Sequence, residues 1–139
     1  MARGRFAMAV HAMALLAGLP DGACSAILAD SVNTHAAYLR RVLSRLAQAG
    51  LIEAREGRDG GYRLAAPPDR ISLGAIYRAT IGEPAIPPSP AAPNPLCPAS
   101  RAMGVVFAGI ARGGEDAMIA WLDARTLADV TAGMERATG

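Results

Sequence analysis

The sequence predicts a mainly α-helical fold with one small β-hairpin, and three observations carry that prediction. Residues 35–49 place Leu39, Val42, Leu43 and Leu46 at i, i+3, i+4 and i+7, the spacing of one helix face. Residues 51–64 are two short strand-like runs around a glycine-rich turn. From Ser100 onward, Met103, Val106, Phe107, Ile110, Ala117 and Trp121 recur at near-heptad spacing, as on a long helix with one apolar seam.

The elements follow in order. Phe6, Val10, Met13 and Leu16 mark a first helix, which Gly18 and Pro20 stop at Ala17. A short second helix is expected over about Ala26–Ser31, with Ser25 available as its N-cap. Val32-Asn33 makes a tight break, and the third helix runs from about His35 to Ala49, closed by Gly50. Leu51–Arg55 alternates like a strand, Glu56–Gly61 is a turn, and Tyr62–Leu64 returns. Pro67-Pro68 ends the hairpin. Ser72 then caps a helix from Leu73 to about Ile81. Seven of the sixteen residues from Glu83 to Pro98 are proline, which excludes helix or central strand there. The apolar phase after Ser100 continues across Gly113-Gly114, so one helix is expected to about Leu122, the glycine pair letting another backbone approach in a dimer. Thr126 starts a short final helix.

Composition bounds what such a chain can do. With 139 residues, 52% hydrophobic and 19% charged, it can bury a core of its own. No apolar run reaches the ~18 residues of a membrane span. The basic start, Met1-Ala2-Arg3-Gly4-Arg5, leads into a periodic helix rather than a signal peptide, so the expected location is cytoplasmic. Residues 1–66 hold eight arginines against five acids, and residues 67–139 six against seven, so the basic half is the first. The absence of lysine reads as compositional bias. Two cysteines and two histidines, far apart, make no four-ligand metal site.

Helix, tight turn, helix and glycine-tipped hairpin together make the layout of a winged helix-turn-helix. A helix ~10–12 Å across fits the ~12 Å major groove of B-DNA. Ala29 is small enough for the helix crossing, and Asn33 tolerates the left-handed conformation that the turn requires. The third helix offers His35, Ala37, Tyr38, Arg40 and Arg41 near its start, where base edges would lie, with Arg45 further along the same polar face. Arg55, Arg58 and Arg63 ride the hairpin toward the DNA backbone or minor groove. The residues expected to contact double-stranded DNA are His35, Tyr38, Arg40, Arg41, Arg45, Arg58 and Arg63.

The run Tyr38-Leu39-Arg40-Arg41-Val42-Leu43, with Leu46, Ala49-Gly50-Leu51-Ile52, Gly57 and Gly60-Gly61-Tyr62-Arg63-Leu64, resembles the IscR/NsrR-type (Rrf) family of bacterial regulators. Ile71–Tyr77, Cys97-Pro98 and Thr126–Val130 are similar to its later segments. The resemblance implies residues 1–66 as a DNA-binding domain, 67–98 as a linking helix and effector loop, and 99–139 as a dimerisation helix with a C-terminal helix. It also implies a homodimer on a near-palindromic operator, usually a repressor. Met103, Val106, Phe107, Ile110, Ala117 and Trp121 then form the dimer seam. Many members hold an iron–sulfur cluster on three closely spaced loop cysteines. This loop has only Cys97, so the expectation is no cluster and no other cofactor.

Other readings stand beside these. Cys97 lies at a helix start, where partial positive charge favours the thiolate, which suits a redox sensor. Cys24 reads either as a small core residue or as the thiol that pairs with Cys97 of the other subunit on oxidation. His11 is expected to be packed or half-buried, and Tyr62 to pack against the helices. The competing functions are a regulator answering a small-molecule effector, a winged-helix adaptor that binds protein instead of DNA, and a thiol enzyme. The last lacks a base, since neither His11 nor His35 lies in a segment expected near Cys97.

Overall fold

The computed structural model describes residues 4–58 and 60–139; the basic start at Met1-Ala2-Arg3 and the turn residue Asp59 lie outside them. Among the described residues the order is α1 (Arg5–Ala17), α2 (Ser25–Val32), α3 (Ala36–Gln48), β1 (Ile52–Arg55), β2 (Gly61–Leu64), a 3-10 turn (Pro68–Arg70), α4 (Leu73–Thr80), α5 (Pro98–Asp123) and α6 (Leu127–Thr138). The mainly helical fold with its single two-stranded sheet is the one the periodicities predict.

Helix ends follow local chemistry. Asn33 (φ 62°, ψ 52°) is left-handed after α2, the only non-glycine residue with positive φ among those described. Its N–H donates to the Asp30 carbonyl and that of Thr34 to the Ala29 carbonyl, so two orphan carbonyls are satisfied while the chain reverses. Gly50 (φ 78°) repeats the device after α3, with Gly50 bonded to Ala47 and Leu51 to Leu46. Ser72 Oγ accepts from the Ala75 N–H at 3.0 Å at the start of α4. Thr126 and Asp129 form a reciprocal capping box at the start of α6. α2 begins one residue earlier than its hydroxyl suggested: Cys24 occupies the N-cap position and makes no side-chain cap.

One core runs through these elements. Ala9, Ala12, Met13 and Leu16 of α1 meet Leu28 and Ala29 of α2 and the apolar face of α3, Leu39, Val42, Leu43 and Leu46. Each fully buried leucine contributes about 1.5–3 kcal/mol by leaving water. Ile52, Ile71, Leu73, Ile76, Leu122 and Leu127 continue the same cluster, so the end of α5 and the start of α6 pack into the N-terminal body. Backbone bonds fasten that return: Leu127 donates to Ile71 at 2.8 Å and Leu73 to Arg125 at 2.9 Å.

α5 is one unbroken helix of 26 residues, about 39 Å long, glycines included. It is bracketed to the body by α4. The Tyr77 hydroxyl donates to Glu115 at 3.3 Å, and Arg78 donates to both Asp123 oxygens at 2.8 and 2.6 Å. Burial, with the Glu115 charge beside it, raises the Tyr77 hydroxyl above its ordinary pKa. The hydrogen bond from Arg78 holds the Asp123 carboxyl below the usual carboxylate range, and the same bond raises Arg78.

Two expectations about packing need correction. His11 is exposed, and its Nε2 lies 3.1 Å from Ser31 Oγ across α1 and α2. Cys24 is exposed rather than a small core residue, because an N-cap at the body's edge faces outward. Within the single chain the glycine pair is unevenly covered: a Cβ on Gly114 would stand 2.7 Å from Cδ1 of Ile86 in the proline-rich loop, while one on Gly113 would meet nothing within 4 Å.

Candidate nucleic-acid interface

α3 is amphipathic in the strict sense. Its leucine and valine face is buried, while Ala37, Arg40, Arg41, Ser44, Arg45 and Gln48 are all exposed. At 100° per residue, Ala37, Arg41, Ser44 and Gln48 form a stripe opposite Leu39 and Leu46, with Arg40 and Arg45 on its two flanks. No ion pair among the described residues engages Arg40, Arg41 or Arg45. Arg41 and Arg45, with Ser44, Gln48, Ala49 and Ala79, line a shallow depression near the end of the helix. His35 occupies the N-cap position, exposed and making no cap hydrogen bond, and Tyr38 is half-buried against the core.

The hairpin leaves α3 directly through Gly50. β1 and β2 pair antiparallel with Glu53 opposite Arg63, Ala54 opposite Tyr62 and Arg55 opposite Gly61. The hairpin is pinned to the start of α2 as well. Ala23 and Tyr62 exchange backbone hydrogen bonds of 2.9 and 2.8 Å, a third strand-like contact. A Cβ on Gly61 would stand 2.6 Å from the Ala23 carbonyl oxygen, so the glycine is what admits this approach. Tyr62 packs partly buried against the core, as expected of a packing residue.

Arg55 and Arg58 are exposed and, among the described residues, free of ion pairs. Arg63 is different: its Nε donates to Glu53 Oε2 at 2.8 Å. Sequence reasoning took Arg63 as a free contact and overlooked Glu53. The signal was there in the strand register, which sets the two directly across from each other. Asp21, Cys24, Ile27, Glu53, Arg55 and Arg63 share an open groove between the start of α2 and the hairpin.

The structure thus joins an open arginine face and a hairpin rigidly docked beside it, the parts a duplex-gripping protein needs. The family model described as "Rrf2: Iron-dependent Transcriptional regulator" matches residues 3–133. The chain belongs to the Rrf2 family. This Rrf2 protein is similar to YwnA of Bacillus subtilis (strain 168), named as a candidate HTH-type transcriptional regulator, with 35% identity over 73% of this chain and 74% of that one. Among solved structures, a candidate DNA-binding protein superposes with a TM-score of 0.73 at 29% identity, covering 91% of this chain and 97% of its own. IscR of T. potens shares the fold at a TM-score of 0.71 and 24% identity, over 97% and 88% of the two chains. CymR of B. subtilis, described as the global cysteine regulator, gives 0.57 at 25%, over 90% and 93%. The winged-helix regulator architecture and the role of transcription regulator follow from this membership. No described helix is long and apolar enough to cross a membrane.

The family description speaks of iron, and the donor set here does not fit it. A cluster needs several thiolates close together. This Rrf2 protein has Cys24 on the rim of α2 and Cys97 at the start of α5, both free. Among the described residues no three His, Cys, Asp or Glu side chains gather as a metal site.

Proposed function

We propose that this Rrf2 protein is a homodimeric, cytoplasmic repressor that grips a near-palindromic operator. α3 of each protomer enters the major groove, and the hairpin rests on the flanking backbone or minor groove. In this reading His35, Tyr38, Arg40, Arg41, Arg45, Arg58 and Arg63 touch DNA. Residues 1–66 read the operator, residues 67–98 link and receive the signal, and residues 99–139 hold the dimer. The observation that carries the proposal is the polar face of α3, with Arg40, Arg41 and Arg45 exposed and outside any ion pair among the described residues. An arginine can bond guanine through two parallel hydrogen bonds or hold a phosphate.

The dimer seam is Met103, Val106, Phe107, Ile110, Ala117 and Trp121. Met103, Val106, Ile110 and Trp121 expose 53%, 55%, 57% and 55% of their surface in the single chain. Such an apolar strip along a helix is covered by a second copy in the symmetric dimers common among soluble proteins. The regulatory part of the proposal is thiol oxidation at Cys97, paired with the partner subunit's Cys24. Both thiols are free, and neither is fully buried.

A gel shift against the gene's own promoter region, at two salt concentrations, tests DNA binding. Binding that falls steeply with salt supports the proposal. No shift at low salt contradicts it and favours a protein-binding adaptor. Non-reducing electrophoresis after diamide treatment should show a dimer band that Cys24→Ser or Cys97→Ser removes; without the band, the thiol part fails and an effector of another kind takes its place.

A further inference from the structure

We infer that Glu53 is a built-in brake on DNA affinity, its carboxylate held against Arg63 so that a phosphate meets this arginine's charge already largely offset. The inference rests on the DNA-binding reading above and concerns how strongly the hairpin contributes to it.

Glu53 and Arg63 are direct cross-strand partners in the antiparallel ladder. Side chains so placed lie about 4.5–5.5 Å apart at Cβ, close enough for a carboxylate and a guanidinium to meet without distortion. The bond is made by Nε at 2.8 Å, and no other side-chain hydrogen bond of Arg63 occurs among the described residues. Both side chains remain about half exposed, 48% and 53%, so an incoming phosphate competes for the guanidinium on open terms. Arg55 and Arg58 on the same hairpin have no such partner among the described residues.

Electrostatics gives the pair its consequence. A carboxylate within hydrogen-bonding distance cancels the arginine's charge at the range over which phosphates feel it, and itself repels them inside the ~8–10 Å screening length. Asp21 lines the same groove and adds a second acid on that side. The hairpin therefore holds its position against the body while contributing less positive charge than its arginine count implies. Weak binding away from the operator is the expected benefit, because phosphate contacts supply most of non-specific affinity.

The test uses the full-length protein and fluorescence anisotropy across a salt series, with a promoter duplex and an unrelated duplex of equal length. Glu53→Gln keeps the shape and removes the charge. It should tighten binding to both duplexes about two- to fivefold per protomer, with the gain largest at low salt and shrinking as salt screens the carboxylate. With Arg63→Ala already present, the same change should give less than half that gain on a logarithmic scale. Unchanged or weaker binding by E53Q overturns the brake, and so does an equal gain in the R63A background, which would mean plain repulsion without the pair. Arg41→Ala is the control for the reading beneath it. If the wild type shows no salt-dependent binding and R41A changes nothing, the DNA reading itself falls, and the brake falls with it.

Discussion

α3 and α5 are both amphipathic helices with one face turned outward, yet the outward faces are opposites. α3 buries its aliphatic side in the core and leaves arginines, serine and glutamine in water. α5 buries fully only Leu122 and leaves Met103, Val106, Ile110 and Trp121 exposed. A charged face in water costs nothing and becomes valuable beside a polyanion. An apolar face in water is unfavourable and is stabilised only by another apolar surface. In the proposed reading the two helices therefore take different partners, DNA for one and a second copy for the other.

The largest effect should come from charging the apolar helix. Ile110→Asp places a carboxylate in the proposed seam and should shift the protein to monomer in light scattering. Operator affinity should drop by on the order of a hundredfold, about 3 kcal/mol, while the N-terminal body stays folded by circular dichroism. An intact dimer would show that another face of α5 makes the contact.

Next in size is the charged helix. Arg41→Ala should cost about 1–3 kcal/mol on the operator if the residue reads a base, with specificity blurred at one position. If Arg41 holds phosphate, the loss is the same on every sequence and the salt slope falls by about one unit. Arg40→Ala is diagnosed by the same pair of outcomes, and neither variant should alter the dimer.

Smaller again is the turn that aims α3. Asn33→Ala should lower stability by about 1 kcal/mol, since alanine tolerates the left-handed region less well, whereas Asn33→Gly should be neutral or slightly stabilising. Chemical denaturation of the three proteins decides it. Equal midpoints would show that the turn relaxes at no cost.

Smallest is the bracket between α4 and α5. The Asp123 carboxyl is held below its ordinary range by Arg78, so its contribution to stability is present above the unfolded-state value. It is lost as pH falls through the lowered folded-state value, below about 3.9. The thermal midpoint difference between wild type and Asp123→Asn should be constant above about pH 5 and shrink toward zero in stronger acid. A difference that persists there would assign the effect to something other than the ionised pair.

The helix–turn–helix, the hairpin and the long helix were legible because each rests on local periodicity and short-range turn chemistry. Asn33 and Gly50 announce their turns through their own backbone preferences, whatever the rest of the chain does. What escaped depends on residues distant in sequence. Nothing near His11 indicates Ser31, twenty residues on, because only the packing of α1 on α2 brings them together. Ile86 over Gly114 joins a proline-rich loop to a helix, a contact that no periodicity encodes. Of the two readings of Cys24 the buried one fails, because a small apolar side chain at a helix start carries no sign of which way the N-cap faces. For the interface, the arginines were legible as a set, but not the state of every one. The exposure of Arg40, Arg41 and Arg45 followed from the helical period, whereas the pairing of Arg63 with Glu53 needed the exact strand register.

The most direct test is to neutralise the polar face of α3 at once, with Arg40→Gln, Arg41→Gln and Arg45→Gln combined, and to titrate promoter DNA by anisotropy beside the wild type. The triple variant should remain a folded dimer with an unchanged thermal midpoint and lose operator binding by at least about a hundredfold, with a salt slope shallower by two or three units per protomer. Wild-type affinity in that variant would contradict the assignment of α3 as the DNA-reading element.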